Sequence, residues 1–353
     1  MNPYDFVRLP QPAERISVRK QGHDHFMGQS GQLACRLTAE TPLFVPGYRA
    51  EAAGRSRQHE HLRFCRDGQT PIIPGTSLKG VLRSVAEAVS GSCFIYDQLL
   101  YERRAIEYDL PGKYTHCEDP SHLCPACRLF GLLSRGEVFS GLVAVSDARA
   151  VMDTFETETL TLDVLGAPKP RHRPFYAPLR QPRQPRGRKF YYHYPPGDVK
   201  TRVKKDGQNK TVDAAKPGAI FRFEIEYANL SEPDLALLLY TLILEPDMRH
   251  KVGMGKPLGL GSARIEVLCW QQLNREARYR SLGGGWGEAL EGEALAQAVT
   301  SYVEQHGHPN WEDGPLDDLR RIWRWPPSPS VSIHYPDWKW FKDNPDTPLE
   351  HAP

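Results

Sequence analysis

Residues 72–83 read Ile-Ile-Pro-Gly-Thr-Ser-Leu-Lys-Gly-Val-Leu-Arg, which imposes a turn and then a helix on the chain. Pro74-Gly75 turns the backbone. Ser77 stands where a helix begins, and Leu78, Leu82, Val85 and Val89 carry an apolar stripe along it to about Ser90. Lys79 and Arg83, four residues apart, share a different face. A helix start offers unpaired N–H groups and a partial positive charge, so Ser77, Lys79 and Arg83 make a candidate phosphate seat. The alternative is an ordinary amphipathic helix with solvated cations.

Around this helix the hydrophobic patterning changes period. Residues 32–45 partly alternate apolar and polar, as a half-buried strand does. Residues 48–70 read as a loop and 91–140 as irregular. Gly141–Asp147, Gly218–Tyr227 and Gly261–Cys269 read as further strands, the second alternating cleanly after Ile220. Ser231-Glu-Pro-Asp234 is a helix start, with Ser as cap and Pro in the first turn, leading into the apolar run Leu235–Leu244. The order strand, helix, strand, strand, helix, strand predicts an α+β fold, a ferredoxin-like or RRM-like βαββαβ core with large insertions. The organisation expected is an N-terminal segment 1–30, a core of 31–154 and 216–270 carrying a zinc-binding insertion at 91–140, a long basic insertion at 155–215, and a helical extension and tail at 271–353. Two pieces of the basic insertion, Leu160–Val164 and Lys189–Tyr194, are expected to pair as an extended hairpin, and helices are expected near Trp286–His306 and Asp317–Trp325.

Formal net charge is only +2, so global basicity does not point to nucleic acid. Its distribution does. Between Lys169 and Lys205 there are twelve Lys and Arg against one acid, Asp198, a local excess of +11. Phe175-Tyr176 and Phe190-Tyr191-Tyr192-His193 interleave with Lys169, Arg171, Arg173, Arg186, Arg188 and Lys189. Aromatic faces stack on bases while cations follow a strand's backbone; the competing reading is a solvated loop pinned by its aromatics. Seven cysteines, unevenly spread, argue against a disulfide framework and for a reduced, cytoplasmic protein. Neither a secretory signal nor an apolar run of membrane-spanning length is visible.

His116-Cys117-x6-Cys124-Pro-Ala-Cys127 has the spacing of a structural zinc site. Cys117, Cys124 and Cys127 supply three thiolates, and His122, His116 or Cys93 the fourth ligand. The stretch is poor in core residues, and a metal would supply folding energy. Redox chemistry at the C-x-x-C and buried unliganded thiols are the other readings. Gly253-Met-Gly-Lys-Pro-Leu-Gly-Leu-Gly261 matches neither a dinucleotide fingerprint nor a P-loop. Its glycines allow close backbone approach to a ligand, beside Lys251 and Lys256. For catalysis the sequence offers Glu60 and His61 in the loop before the helix and Asp67 nearer to it, with Asp67-Gly68 also reading as a turn.

Taken in order, Pro74-Gly-Thr-Ser-Leu-Lys-Gly-x-x-Arg83, Cys124-Pro-Ala-Cys-Arg-Leu-Phe-Gly131 and Gly255-Lys-Pro-Leu-Gly-Leu-Gly-Ser262 resemble the RAMP superfamily of CRISPR proteins, specifically backbone subunits of type III and related effector complexes. The resemblance covers about residues 30–270. It implies a ferredoxin-like palm that polymerises along a guide RNA, a zinc-stabilised insertion, and a thumb formed by 155–215 that intrudes between guide and target. It also implies RNA contacts from Ser77, Lys79, Arg83, Lys169, Arg171, Arg173, Arg188, Lys189, Gly255, Lys256, Gly259 and Gly261. The partners implied are crRNA, target RNA, neighbouring copies of the chain, other CRISPR subunits and a separate nuclease. Active members cut target RNA with an Asp in the loop before the helix; this chain has no clear equivalent, which favours a binding subunit over an endonuclease using Asp67, Glu60 or His61.

Overall fold

The computed structural model describes residues 1–17, 23, 26–47, 59–94, 114–134, 136–164, 172–181, 183–280, 284–307, 314–328 and 332–352. The core grows from two eleven-residue strands whose side chains alternate. In β2 (Gln29–Ala39) Leu33, Cys35 and Leu37 point inward, and in β13 (Ile220–Leu230) Phe221, Phe223 and Ile225 do the same while Arg222, Glu224 and Glu226 face out. They pair antiparallel with Leu33 opposite Ile225 and Leu37 opposite Phe221, which puts both apolar sets on one face.

Earlier in the chain lie β1 (Tyr4–Val7), and after β2 come β3 (Glu60–Leu62), β4 (Arg66–Asp67), β5 (Thr70–Ile73) and helix α1 (Gly75–Val89). Next are α2 (Pro125–Phe130), the hairpin β6 (Leu132–Ser134) and β7 (Glu137–Phe139), and short strands β8 (Val143–Val145) and β9 (Ala148–Ala150). The basic insertion holds β10 (Thr157–Thr161), β11 (Arg188–Tyr191) and β12 (Lys210–Ala215). After β13 follow α3 (Glu232–Ile243), β14 (His250–Lys251), β15 (Ser262–Gln272), α4 (Arg275–Arg280), β16 (Leu290–Glu291), α5 (Gly292–His306), α6 (Pro315–Ile322) and α7 (Trp338–Asp343).

The main sheet is antiparallel, in the order β14-β15-β2-β13-β9-β5-β4, with β8 also on β13. Helices α1 and α3 cover its inner face. α1 buries Leu78, Leu82, Val85 and Val89, the stripe read from the sequence, and α3 buries every residue from Asp234 to Leu242. Ser231 caps α3 by accepting the Asp234 N–H at 3.3 Å. α1 starts at Gly75 rather than Ser77 because Pro74, extended at ψ 136°, already occupies the cap position. The chain is therefore mixed α+β, and its six core elements follow the expected order: β2, α1, β8–β9, β13, α3, β15.

Three expectations fail. β10 and β11 do not pair with each other: β10 pairs with β12, which in turn takes β3, while β11 pairs antiparallel with the N-terminal β1. The stretch 59–70, read as loop, contributes β3 and β4, strands too short to show a period. The helix expected from Trp286 begins at Gly292, since Leu290 and Glu291 extend along β15 first. The C-terminal tail joins Tyr4 and Phe175 in a second apolar cluster that includes Tyr176, Tyr191, Tyr335, Trp340 and Phe341. No helix among the described residues is long and apolar enough to cross a membrane.

Candidate nucleic-acid interface and cysteine centre

One face of α1, the glycine-rich turn and β11 enclose a cleft of about 560 Å³, lined by Ser77, Gly80, Ser84, Lys189, Tyr191, Lys251, Gly253, Lys256 and Trp323 among others. It continues past Lys189, Tyr191, Gly253 and Lys256 into a second recess of about 690 Å³, walled by Tyr4, Tyr176, Tyr194, Tyr335 and Phe341 and also lined by Gly255. Ser77, Lys189, Gly255 and Lys256, predicted from distant parts of the sequence, thus share one channel. Among the described residues no carboxylate pairs with Lys189, Lys251 or Lys256. The Lys189 ammonium lies 3.6 Å from the centre of the Tyr4 ring and 4.9 Å from that of Tyr191. Burial pulls its pKa down to about 8. Lys251 sits on β14 almost without exposure, donates to the Leu260 carbonyl at 3.0 Å, and is lowered by burial and then by Lys256 to about 7. Burial lowers Lys256 as well.

Other expected phosphate ligands are occupied by the fold. Arg83 donates to Glu87 at 2.8 Å, to the Gly131 carbonyl at 2.9 Å and to the Cys127 sulfur at 3.4 Å. Arg188 reaches the other Glu87 oxygen at 2.8 Å and the carbonyls of Ser92 and Cys93 at 2.9 and 2.7 Å. Both guanidiniums serve the cysteine centre rather than a surface ligand. Lys79 is half-buried and lies off the cleft, its pKa lowered by burial and by Arg83. Arg173 is exposed on a turn and has interactions of its own. Lys169 and Arg171 fall outside the described residues.

The glycines serve the chain's own packing before any ligand. Gly261 has φ 83°, and a Cβ there would stand 2.1 Å from the Val252 carbonyl oxygen. A Cβ on Gly259 would meet the Asp198 carbonyl at 2.6 Å. The insertion's aromatics divide similarly: Phe175 is a buried anchor, Phe190 and Tyr194 are buried yet line the cleft and the recess, and Tyr176 and Tyr191 face the recess more openly.

Four thiols converge behind α1. Cys93, Cys117, Cys124 and Cys127 are all buried, with sulfurs within 4.8 Å of one another and Cys93 at 3.7 Å from both Cys124 and Cys127. Cys124 caps α2 and Cys127 lies one turn on, so the C-x-x-C sits on a helix start. The fourth member of the group is Cys93, just past the end of α1; His122 is exposed and bonds to Ser121, and neither it nor His116 joins the group. These four residues could hold a metal ion.

The catalytic candidates do not assemble. Glu60 pairs with Lys210, and the next residue, His61, with Asp213 at 2.8 Å. Consecutive strand residues face opposite sides of a sheet, so the two cannot share a ligand. Asp67 sits on β4, bound to Arg149 at 2.6 Å.

The family model for the RAMP superfamily matches residues 36–264. The chain belongs to the RAMP superfamily. That match spans the RAMP segment from β2 through α1, the cysteine centre and the glycine-rich turn to the start of β15. Among solved structures, the crystal structure of Thermofilum pendens Csc2 is similar at 15% identity, covering 90% of this chain and 91% of that one, with a TM-score of 0.37. A search of curated proteins returns no match. In this RAMP chain the sequence pointed to Lys256 and Lys189 but understated Lys251, whose burial between β15 and the glycine turn no local pattern encodes. Tyr4 and Tyr335 were missed too, since they reach the recess from the two ends of the chain.

Proposed function

We propose that this chain is a crRNA-binding backbone subunit of a CRISPR effector complex. Its ferredoxin-like palm lies along the guide, and the 155–215 insertion acts as a thumb that supports guide–target pairing. The observation carrying this is the cleft itself: three lysines without acid partners among the described residues, a helix face bearing Ser77, and a tyrosine wall. Lysines neutralise phosphates, tyrosine faces stack on bases without sequence preference, and base pairing reads the target. The neighbours β15-β2-β13-β8/β9 support the palm assignment. In this reading the partners are crRNA, target RNA, adjacent copies of the chain and other effector subunits, with a separate nuclease, in the cytoplasm.

The cysteine centre fits a structural zinc ion. Sulfurs about 2.3 Å from a tetrahedral zinc lie about 3.8 Å apart, and the Cys93 sulfur is 3.7 Å from two of its neighbours. Cys93, Cys117, Cys124 and Cys127 would close the coordination shell, so the metal would fasten α2 to the end of α1 and leave no catalytic position. Arg83 and Arg188, bridged by Glu87, offset the negative charge of four thiolates. Separate ion pairs at Glu60, His61 and Asp67 weigh against the endonuclease alternative.

The test is to purify the protein with its effector complex and sequence the bound RNA. Phased guides are expected, and charge reversal at Lys189 and Lys256 is expected to strip them and lower the salt dependence of binding. A complex that carries no RNA refutes the proposal. Loss of target cutting on alanine substitution of Asp67, Glu60 or His61, with guide binding intact, moves the assignment to the endonuclease.

A further inference from the structure

Lys251 is an anomaly for stability alone. An ammonium has three donors and keeps them in water or against an anion. Here it is 3% exposed and bonds one backbone carbonyl, that of Leu260, with the Tyr194 ring centre 5.9 Å away. It lines the cleft together with Lys189 from β11 and Lys256 from the glycine turn. Trp323, which also lines the cleft, has a buried Nε1–H that meets no acceptor among the described residues. The cleft wall thus carries three cations, none paired with an acid among the described residues, and a buried donor.

We propose that Lys251, Lys189 and Lys256 form one preorganised seat for a phosphate group, and that filling it draws protons from solvent. The seat deepens the RNA-binding reading and rests on it for its ligand, a phosphodiester of the guide. Without a ligand, burial favours the neutral amines and pulls Lys189 down to about 8, and burial followed by repulsion from Lys256 pulls Lys251 down to about 7. A phosphate oxygen restores the charged form and pulls each pKa back toward its ordinary value. Histidines, tyrosines and paired cations face the lysines. His193, two residues past β11, and His250, beside Lys251, are both lowered by burial, His250 to about 4 and His193 well below its ordinary value. Tyr4, Tyr191 and Tyr194 are raised by burial. Arg249 is held by Glu40, Lys200 by Asp198, and Arg202 by Asp163. Affinity must then fall as pH rises above 7, by about tenfold per pH unit for each lysine that has to take up its proton.

The experiment measures binding of a fluorescein-labelled single-stranded RNA of guide length by anisotropy, from pH 6.5 to 9 at constant ionic strength. Calorimetry in buffers of different ionisation enthalpy counts the protons. The wild type is expected to take up about one to two protons at pH 8 and to weaken at least tenfold between pH 7 and 8.5. Lys251→Met, an apolar side chain of similar length, should bind several-fold more weakly at pH 7 and lose most of the pH slope. Lys189→Arg, whose charge does not titrate, should keep binding at pH 7 and flatten the slope above 7.5, and it decides the matter if Lys251→Met fails to fold. A pH-independent wild type, or a slope unchanged in both variants, overturns the seat. RNA that fails to bind at any pH defeats the RNA reading instead. Pyrophosphate then judges the seat alone: proton uptake abolished by Lys251→Met upholds it, and no uptake overturns it.

Discussion

Asp234→Ala should be among the most damaging single substitutions in this chain, and the reason is a buried ion pair that joins the cysteine centre to helix α3 on the main sheet. Arg128, on α2, grips Asp234, in the first turn of α3, through two bonds of 3.0 and 2.7 Å, and its third donor reaches the Leu123 carbonyl at 2.9 Å. The side chains are 7% and 2% exposed. Removing the carboxylate leaves a guanidinium in the core with one carbonyl partner, a change worth about 3–5 kcal/mol. Against a typical stability of about 5–15 kcal/mol that is a large share. The pair itself, however, offsets its own desolvation. Arg128→Met with Asp234→Leu should therefore recover most of the loss, short of wild type by about 1 kcal/mol for the acid removed from the start of α3. Urea denaturation followed by tryptophan fluorescence measures both, and Arg128→Met and Asp234→Leu made singly complete the double-mutant cycle. A cost below about 1 kcal/mol for Asp234→Ala, or a double variant no better than the worse single, would show that the pair is not the fastening inferred here.

Three further outcomes are expected. Elemental analysis should find about one zinc per wild-type chain and His122→Ala chain but far less in Cys93→Ser, because the fourth donor is a thiol; zinc retained by Cys93→Ser and lost from His122→Ala would reverse the ligand assignment. Lys251→Met should stabilise the RNA-free protein by up to about 4 kcal/mol at pH 7. The folded pKa near 7 lies below the unfolded one, so the folded wild type binds fewer protons from pH 7 to about 10 and gains stability as pH rises; melting curves should show the variant's advantage shrinking across that window, and a constant difference would contradict it. Gly261→Ala should cost clearly more than Gly218→Ala. Both have positive φ, 83° and 90°, but only the first places its Cβ 2.1 Å from a carbonyl oxygen, while the second meets nothing within 4 Å. Equal losses in urea midpoint would remove the packing argument.

The parts of this chain that sequence reasoning reached are those whose causes are local. β13 alternates within its own eleven residues, α3 announces itself with Ser231 and a proline in its first turn, and α1 carries its stripe at helical spacing. What it missed depends on partners far along the chain. β11 presents an apolar and cationic run that suits many neighbours, and its actual neighbour β1 lies more than 180 residues away. Cys93 was one of three candidates for the fourth ligand, and what singles it out is that α1 ends where α2 begins in space, which no spacing encodes.

Charge shows the limit most clearly. A count of +11 over 169–205 treats every cation alike, yet Arg186 is bound by Glu350, Arg188 by Glu87, Lys200 by Asp198 and Arg202 by Asp163. Arg83 looked like a phosphate ligand on a helix face, and Glu87 four residues on was visible, but Arg188 arriving from outside turned that pair into a brace for the cysteines. The cations that matter for a ligand are those that the fold leaves without an acid. Burial selects them, since an ammonium kept from water with no carboxylate costs stability that only an arriving anion can return. Lys251 carries that cost and lies in the cleft, which is why a lysine with no distinguishing sequence context becomes the strongest pointer to what the cleft binds.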